Sequence, residues 1–281
     1  MPTAATAKLV ADARRDGKAV GAFNVITLEH IEAVVLGAER AGLPVVIQIS
    51  ENAVKYHDGQ LMPLALAAGA AAELATVDVG LHLDHVTDMQ LLFHAADAGF
   101  SSAMFDAGSL AYSVNVERTC AAVAWAHANG IWLEAELGYV GGKPDAPSSA
   151  HTRGVRTDPT EAQTFVGQTG VDALAVAVGS SHAMTTRTAT LDLALISRIA
   201  EVVPVPLVLH GSSGVAPEDL SRAAAAGMAK INVGTALNIA FTGAVRQVLG
   251  GDSAIVDPRK YLPAAREAAA EVVAALLAVV S

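Results

Sequence analysis

The chain has 281 residues, of which 52% are hydrophobic and only 4% aromatic, so it can bury a large core made mainly of aliphatic side chains. Its formal net charge of −10 argues against binding to nucleic acid or to an anionic membrane, because both require a basic surface. The single cysteine, Cys120, excludes an internal disulfide and fits a reducing cytoplasm; its alanine-rich, helical surroundings predict a place in the core.

Helix-like and strand-like segments alternate along the chain, from a helix over residues 3–16 to a last helix that begins within 257–266 and ends near 279. Eight short apolar runs lack a clean period of two, as is typical of parallel strands buried on both faces. These predicted strands are 19–25, 44–50, 79–85, 101–107, 131–137, 173–179, 206–212 and 228–234. The helical patterns that follow them are 28–41, 60–76, 87–98, 109–128, 159–169, 191–202, 216–226 and 235–249. No opening segment resembles a signal peptide, and no apolar run approaches the about 20 residues that span a bilayer.

Eight β/α units predict an α/β fold, a (β/α)8 TIM barrel, in one domain over residues 1–281 with extra helices at both termini. The active site of such a barrel lies at the carboxyl ends of its strands. Polar residues gather at those ends, and they are Asn24, Ser50, Asp84, His85, Asp106, Glu134, Glu136, His182, His210, Asn232 and Thr235. We therefore expect catalysis there, with Asn24 and Ser50 among the substrate contacts.

The long irregular segment after the fifth predicted strand, residues 138–154, is the length of a mobile lid. Its glycine pair, Gly141 and Gly142, would form the hinge.

Three histidines lie at or just after the ends of three predicted strands: His85, His182 and His210. Three protein ligands with one open position are typical of catalytic zinc, so these residues predict a zinc site that would polarise a carbonyl. Asp84, beside a ligand but pointing elsewhere, would be free for acid/base chemistry. Glu136 would be an outer carboxylate or a secondary ligand, and Asp106 could orient a ligand histidine. The remaining histidines are expected to be structural, namely His30, His57, His82, His94, His127 and His151.

A phosphate site is predicted after the seventh and eighth strands, where barrels usually bind phosphate. Small residues and the start of a helix let backbone N–H groups approach an anion. The candidate residues are Gly211, Ser212, Ser213, Asn232, Val233, Gly234 and Thr235.

Motifs along nearly the whole chain resemble the class II, zinc-dependent ketose-bisphosphate aldolases, which include fructose- and tagatose-bisphosphate aldolases. They occur in family order at 21–25, 82–85, 102–106, 134–138, 141–142, 157–159, 169–179, 205–211, 230–233 and 257–261. The resemblance implies reversible cleavage of a phosphorylated ketose to dihydroxyacetone phosphate and an aldehyde such as glyceraldehyde 3-phosphate. It also implies zinc on His85, His182 and His210, and proton transfer by Asp84 at the hydroxyl of the cleaved bond.

The same resemblance implies that Gly211, Ser213, Asn232 and Thr235 hold dihydroxyacetone phosphate. It further implies a monovalent cation, Na⁺ or K⁺, near the phosphate. The sequence departs from the family pattern at three places. Ala183 replaces the usual glycine after the second zinc histidine, Pro144 stands where many members carry a loop carboxylate, and Asp106-Ala-Gly-Ser109 replaces the commoner Asp-Gly-Ser.

Other functions stay open at this point. A Schiff-base aldolase would need an inward lysine, for which Lys230 is the best placed, and a zinc hydrolase would use Asp84 to activate water. A barrel that binds zinc and a sugar phosphate without turnover is the non-enzymatic alternative. The leading prediction is a cytoplasmic aldolase, a homodimer or homotetramer, whose distal substrate group would meet Arg153, Arg156, Arg187 or Arg259.

Overall fold

Eight parallel strands close into a barrel, in which each strand pairs with the next and β8 pairs with β1. This computed structural model describes residues 3–138, 140 and 156–281. The strands are β1 Val20–Asn24, β2 Val45–Ser50, β3 Val79–Val86, β4 Ser102–Phe105, β5 Trp132–Leu137, β6 Ala173–Val176, β7 Leu207–Leu209 and β8 Met228–Val233. All eight predicted strands are confirmed, and the TIM-barrel prediction with them.

The helices surround the barrel, and most of them lie in the connections between consecutive strands. They are α1 Thr6–Arg15, α2 Leu28–Ala41, α3 Glu51–Tyr56, α4 Met62–Leu74, α5 Met89–Leu92, α6 Tyr112–Ala128, α7 Pro159–Thr169, α8 Leu193–Val202, α9 Pro217–Ala226, α10 Thr235–Gly251 and α11 Leu262–Val280. The extra terminal helices are thus confirmed as α1 and α11. Among the described residues, no helix has the length and apolarity needed to cross a bilayer.

Alternation along the strands separates the helix-facing core from the barrel interior. In β5, Leu133, Ala135 and Leu137 belong to the main hydrophobic cluster, whereas Glu134 and Glu136 between them are buried carboxylates. Successive side chains of a strand point to opposite faces, so both glutamates project into the barrel. The interior therefore carries charge at the level of the strand ends.

The opposite end of the barrel is closed by apolar side chains. Leu9 and Val10 of α1 pack with Val20 and Val46 in a separate small cluster that Trp132 also contacts. The backbone N–H of Ala4 donates to the carbonyl of Val79 at the start of β3, which fixes the position of α1. A ligand can therefore reach the charged interior of the described barrel only from the carboxyl ends of the strands.

Three local predictions differ from the structure. The segment 87–98 forms only the short helix α5, followed by turns with i→i−3 bonds such as His94 N–H to the Leu91 carbonyl. Helix α3 was not predicted; it begins directly after β2. Cys120 is half-buried instead of lying in the core, because its Sγ faces α7 and donates to the Gln168 carbonyl at 3.4 Å. Most of the predicted lid, its glycine hinge, Pro144, His151 and Arg153 lie outside the described residues.

A β-bulge interrupts β3 beside β4, where the pairing register shifts between Leu83 and Val86. Within this interval His85 has a left-handed backbone with φ +51°. A bulge turns one extra residue toward the face where its neighbour already points. Asp84 and His85 therefore both line the same cavity, which corrects the expectation that Asp84 would point away from the ligand site.

Candidate active site

A cavity of 470 Å³ opens at the carboxyl ends of the strands, within the size range of ordinary ligand pockets. Its walls come from β1, β2 and β3 on one side and from the segments after β6, β7 and β8 on the other. Most of the predicted site residues line it, namely Asn24, Ser50, Asp84, His85, His182, Gly211, Ser212, Ser213, Asn232, Gly234 and Thr235. The prediction that strand ends build one site agrees with this geometry.

The three predicted zinc histidines lie together although they come from distant parts of the chain. Each of His85, His182 and His210 offers a ring nitrogen, and these nitrogens lie within 4.8 Å of one another. Their ring centroids are separated by 5.2, 4.8 and 5.8 Å. His210 is fully buried, while the other two rings border the cavity.

Two carboxylates hold the His210 ring. Its Nδ1 lies 2.8 Å from Glu136 Oε2 and its Nε2 lies 2.8 Å from Glu134 Oε1. Burial lowers the pKa of His210, but these two hydrogen-bonded carboxylates outweigh burial and raise that pKa to about 9. A nitrogen that donates to a carboxylate cannot also bind a metal, so metal binding at His210 requires one of these contacts to give way.

A buried lysine anchors one of the two carboxylates. Lys230 Nζ donates to Glu134 Oε2 at 2.9 Å, and both side chains are fully buried. Burial acts to raise the pKa of Glu134, and the charge of Lys230 with the hydrogen bond from His210 holds that pKa well below its usual value. Lys230 does not line the cavity, so it is not placed to form a Schiff base with a substrate there.

Asp84 is held by amide side chains that come from neighbouring strands. Asn24 Nδ2 donates to Asp84 Oδ2 at 2.7 Å, and Gln48 Nε2 donates to Asn24 Oδ1 at 3.2 Å. Asp84 Oδ1 is buried, and no described residue forms a hydrogen bond with it. Burial raises the pKa of Asp84, but the positive potential of His85, His82 and Lys230 more than offsets burial, so that the pKa falls below its usual value. The carboxylate is therefore ionised.

The orienting role predicted for Asp106 fits the contacts. His85 Nδ1 lies 2.9 Å from Asp106 Oδ2, which fixes the ring and leaves Nε2 as the other nitrogen available to a ligand. Ala183, directly after His182, has φ +57° and lines the cavity. Because alanine replaces the usual glycine here, a residue with a side-chain methyl group adopts a left-handed backbone beside a candidate ligand.

The residues predicted to bind phosphate lie in the turn after β7 and around the start of α10. Ser212 Oγ donates to the Asn232 carbonyl, and Ser213 Oγ accepts from the Ala236 N–H at 3.1 Å. These bonds tie the short 3₁₀ turn at Ser212–Gly214 to the N-terminus of α10, where partial positive charge favours an anion. Val233 is the exception, because its side chain packs in the main hydrophobic core and does not reach the cavity.

Several of the remaining histidines have structural partners, as expected. His30 Nδ1 meets Thr27 Oγ1 at 3.0 Å and His57 Nε2 meets the Ile26 carbonyl at 2.7 Å. His82 is fully buried with Nδ1 at 2.8 Å from Ser102 Oγ, and burial lowers its pKa to about 3.

The sequence interpretation did not assign roles to Gln48 or to the Glu134–Lys230 pair. The alternation of polar and apolar residues in β5 and β8 could have shown that Glu134 and Lys230 face the barrel interior. Residues two positions apart in a strand point to the same side.

Comparison with known proteins agrees with this architecture. The family model described as "Fructose-bisphosphate aldolase class-II" matches residues 4–281. Fructose-bisphosphate aldolase of Staphylococcus epidermidis is 38% identical over 274 residues, covering 97% of this chain and 95% of the relative. That of Geobacillus stearothermophilus is 38% identical over 262 residues, covering 93% and 91%.

Two solved structures are similar over almost their whole length. The YdjI aldolase of Escherichia coli K12 has a TM-score of 0.84 at 31% identity and covers 99% of this chain and 97% of its own. A putative fructose-1,6-bisphosphate aldolase of Coccidioides immitis has a TM-score of 0.85 at 31% identity, with the same coverage. The matched family, the identities and the shared barrel together establish that this chain is an aldolase, an aldehyde-lyase, and that it belongs to the class II fructose-bisphosphate aldolase family.

Proposed function

We propose that His85, His182 and His210 hold a catalytic zinc ion and that Asp84 transfers the proton in reversible cleavage of a ketose 1,6-bisphosphate. The observation that carries this proposal is the convergence of three ring nitrogens within 4.8 Å beside a buried, ionised carboxylate. Dihydroxyacetone phosphate and glyceraldehyde 3-phosphate are the products when the substrate is fructose 1,6-bisphosphate or tagatose 1,6-bisphosphate.

The donor set fits zinc. Neutral imidazole nitrogens are preferred zinc ligands, and three protein ligands leave a position open for substrate. Asp106 beside His85 and Glu134 beside His210 are the carboxylates that keep ligand rings oriented. When bound, zinc supplies Lewis-acid polarisation of the substrate's ketone carbonyl.

Glu136 is the carboxylate that we expect to adjust when zinc binds. Glu134 is fixed by Lys230 as well as by His210, so displacing it would leave a buried ammonium without its carboxylate. Glu136 would therefore release His210 Nδ1 and become an outer carboxylate or a secondary ligand.

Asp84 performs the proton transfer in this proposal. In cleavage its carboxylate accepts the proton of the C4 hydroxyl as the C3–C4 bond breaks and the C4 oxygen becomes the aldehyde. In condensation the same proton returns to that oxygen. Asn24 fixes the carboxylate at the cavity wall through the bond from its Nδ2 to Asp84 Oδ2.

The cradle after β7 and β8 binds the phosphate of the dihydroxyacetone phosphate half. Gly211, Ser213 and Thr235 line the cavity there, and Thr235 begins the helix α10, which has 17 residues.

The same proposal includes a Na⁺ or K⁺ ion near the phosphate, a cytoplasmic location and assembly as a homodimer or homotetramer. The single cysteine supports a location in a reducing compartment.

The deciding experiment measures dihydroxyacetone phosphate release from fructose 1,6-bisphosphate and from tagatose 1,6-bisphosphate. The zinc-loaded enzyme is compared with the same protein after chelation and after zinc is restored. Release that stops on chelation and returns with zinc supports the proposal, and the preferred ketose identifies the C4 configuration. A zinc-loaded protein that cleaves neither sugar would refute it in favour of a binding protein or another reaction.

A further inference from the structure

His82 is a buried histidine that the proposed function does not use. It lies in β3 two positions before Asp84, so both side chains point into the barrel. The His82 ring is fully buried and does not line the cavity, whereas Asp84 does. His82 therefore lies deeper in the barrel than the carboxylate, on the side away from the cavity.

The hydrogen bonds around His82 determine which of its two ring nitrogens carries the proton. Ser102 Oγ donates to the Leu81 carbonyl at 3.2 Å, and His82 Nδ1 lies 2.8 Å from the same Oγ. A serine hydroxyl has a single proton, so the Nδ1–H of His82 donates to Ser102. Burial, together with the charge of Lys230, lowers the pKa of His82 to about 3, which keeps the ring neutral. Nε2 is therefore an acceptor without a proton.

Two acceptor atoms face each other beneath the carboxylate. His82 Nε2 lies 3.9 Å from Asp84 Oδ1, and both atoms are buried. No described residue forms a hydrogen bond with either of them. They do not bond to each other, because 3.9 Å exceeds a hydrogen-bond distance and Nε2 has no proton to donate. Burying both acceptors without a donor is unfavourable, so a donor between them would stabilise the pair.

One water molecule matches this requirement. Two hydrogen bonds of about 2.8 Å reach acceptors up to about 5.6 Å apart, so a single water can span the 3.9 Å between His82 Nε2 and Asp84 Oδ1. Buried waters typically make about three hydrogen bonds to polar groups that lack other partners. The third partner is at hand, because Lys230 Nζ is bonded to Glu134 Oε2, which lies 3.9 Å from His82 Nε2. An ammonium group has three N–H donors, so Lys230 can donate to the water oxygen as well.

We propose that one buried water molecule bridges His82 Nε2 and Asp84 Oδ1, and that His82 acts through this water as a positioning residue for Asp84. The effect on catalysis rests on the proposed function, because Asp84 is the proton-transfer group there. Asn24 Nδ2 holds Oδ2 of the carboxylate at 2.7 Å, and the water holds Oδ1. A carboxylate held at both oxygens does not rotate about its Cβ–Cγ bond, so it keeps the orientation in which it meets the C4 hydroxyl.

The water and the histidine tautomer are tested in the wild type. A high-resolution crystal structure should show an ordered water within about 3.2 Å of both His82 Nε2 and Asp84 Oδ1. Nitrogen-15 NMR of the histidine-labelled enzyme should show His82 protonated at Nδ1 and unprotonated at Nε2. A proton on Nε2, or no ordered water between the two atoms, would overturn the inference.

The positioning role is tested with His82→Gln and His82→Met on the ketose bisphosphate that the wild type cleaves better. The two new side chains have nearly the same size and both give up the bond to Ser102. Only glutamine has a polar end that can bind the water or the carboxylate. We expect kcat of His82→Met to lie about tenfold below that of His82→Gln, with KM values within about twofold of each other. Equal kcat in the two variants would mean that His82 is purely structural.

His30 supplies a matched pair of controls. It is 5% exposed, its Nδ1 meets Thr27 Oγ1 at 3.0 Å, and it does not line the cavity. His30→Gln and His30→Met should therefore have the same kcat. Zinc content is measured in all four variants. A His82→Met variant that loses zinc together with activity would overturn the positioning role, because His82 would then act on the metal site.

Asp84→Ala separates this inference from the proposed function. If Asp84→Ala is inactive while the two His82 variants have equal kcat, the positioning role of His82 is wrong and the proposed function stands. If Asp84→Ala turns over as fast as the wild type, the proposed function is wrong and the positioning role fails with it.

Discussion

Gly211 gives the sharpest test of how the barrel positions the candidate zinc ligands. It follows His210 directly and has φ +67°, a conformation that alanine adopts only with strain. A Cβ atom added there would lie 2.5 Å from the Ser181 carbonyl carbon and 2.7 Å from its oxygen. Ser181 precedes His182, so Gly211→Ala would push apart the two backbone segments that carry His182 and His210.

The size of the displacement follows from these distances. Ordinary contacts of a Cβ atom begin at 3.4 Å, so the Ser181 carbon must retreat by 3.4 − 2.5 = 0.9 Å. Metal–ligand distances tolerate about 0.2 Å, several times less than this retreat. The left-handed backbone costs about 1–2 kcal/mol, and the forced contact adds about 1–3 kcal/mol to the loss of stability. We also expect zinc affinity to fall at least about tenfold.

Gly42 supplies a matched control with nearly the same backbone. It ends α2 with φ +65°, and an added Cβ would meet no atom within 4 Å. Gly42→Ala should therefore lose only the cost of the left-handed backbone and keep the zinc affinity of the wild type. The difference between the two variants isolates the contact with Ser181.

Two assays separate these effects. Urea unfolding of the metal-free proteins gives the free energy of unfolding, and competition with a chromophoric chelator gives the zinc dissociation constant. A Gly211→Ala variant that binds zinc within about twofold of the Gly42→Ala control would refute the reasoning. It would mean that the segments after β6 and β7 separate without moving the ligand nitrogens.

Three further outcomes are expected at the site. His210→Ala should lose zinc retention together with cleavage, and stoichiometric zinc by elemental analysis would remove His210 from the metal site. Asp84→Ala should retain zinc while kcat for cleavage falls by about 10²–10⁴, and unchanged turnover would contradict its proton-transfer role. Lys230→Met should destabilise the protein to urea by about 3–5 kcal/mol because it leaves Glu134 charged and buried, whereas the double variant Lys230→Met with Glu134→Gln should recover part of that loss. Equal stability of the single and double variants would show that the pair is not coupled.

The sequence was sufficient to predict the barrel because the local signals agree. Each apolar run is short, each is followed by a helical pattern, and polar residues such as His85 and His210 mark the strand ends. That most of the candidate residues line one cavity could be predicted for the same reason, since parallel strands in a barrel bring their carboxyl ends together.

The parts that were missed depend on non-local contacts or on a rule that was not applied. Helix α3 is stabilised by Glu51 bonding Thr87, 36 residues away, and the partner of Lys230 is Glu134, 96 residues away. Local patterns do not identify either partner, although alternation in β5 and β8 places Glu134 and Lys230 on inward-facing positions. Val233, by contrast, follows inward-facing Asn232, and strict alternation predicts its outward direction toward the helices.

The bulge in β3 places the proposed proton-transfer group and a proposed metal ligand on neighbouring residues of one strand. Asp84 and His85 are neighbours in the chain, so a single peptide unit joins their Cα atoms, and Cα atoms so joined lie about 3.8 Å apart. Fluctuations that shift β3 against β6 and β7 change the distances from His85 to His182 and His210. They do not stretch the link between Asp84 and His85. The barrel can therefore relax while the backbone positions of the proposed base and of one proposed metal ligand stay at a covalently set separation.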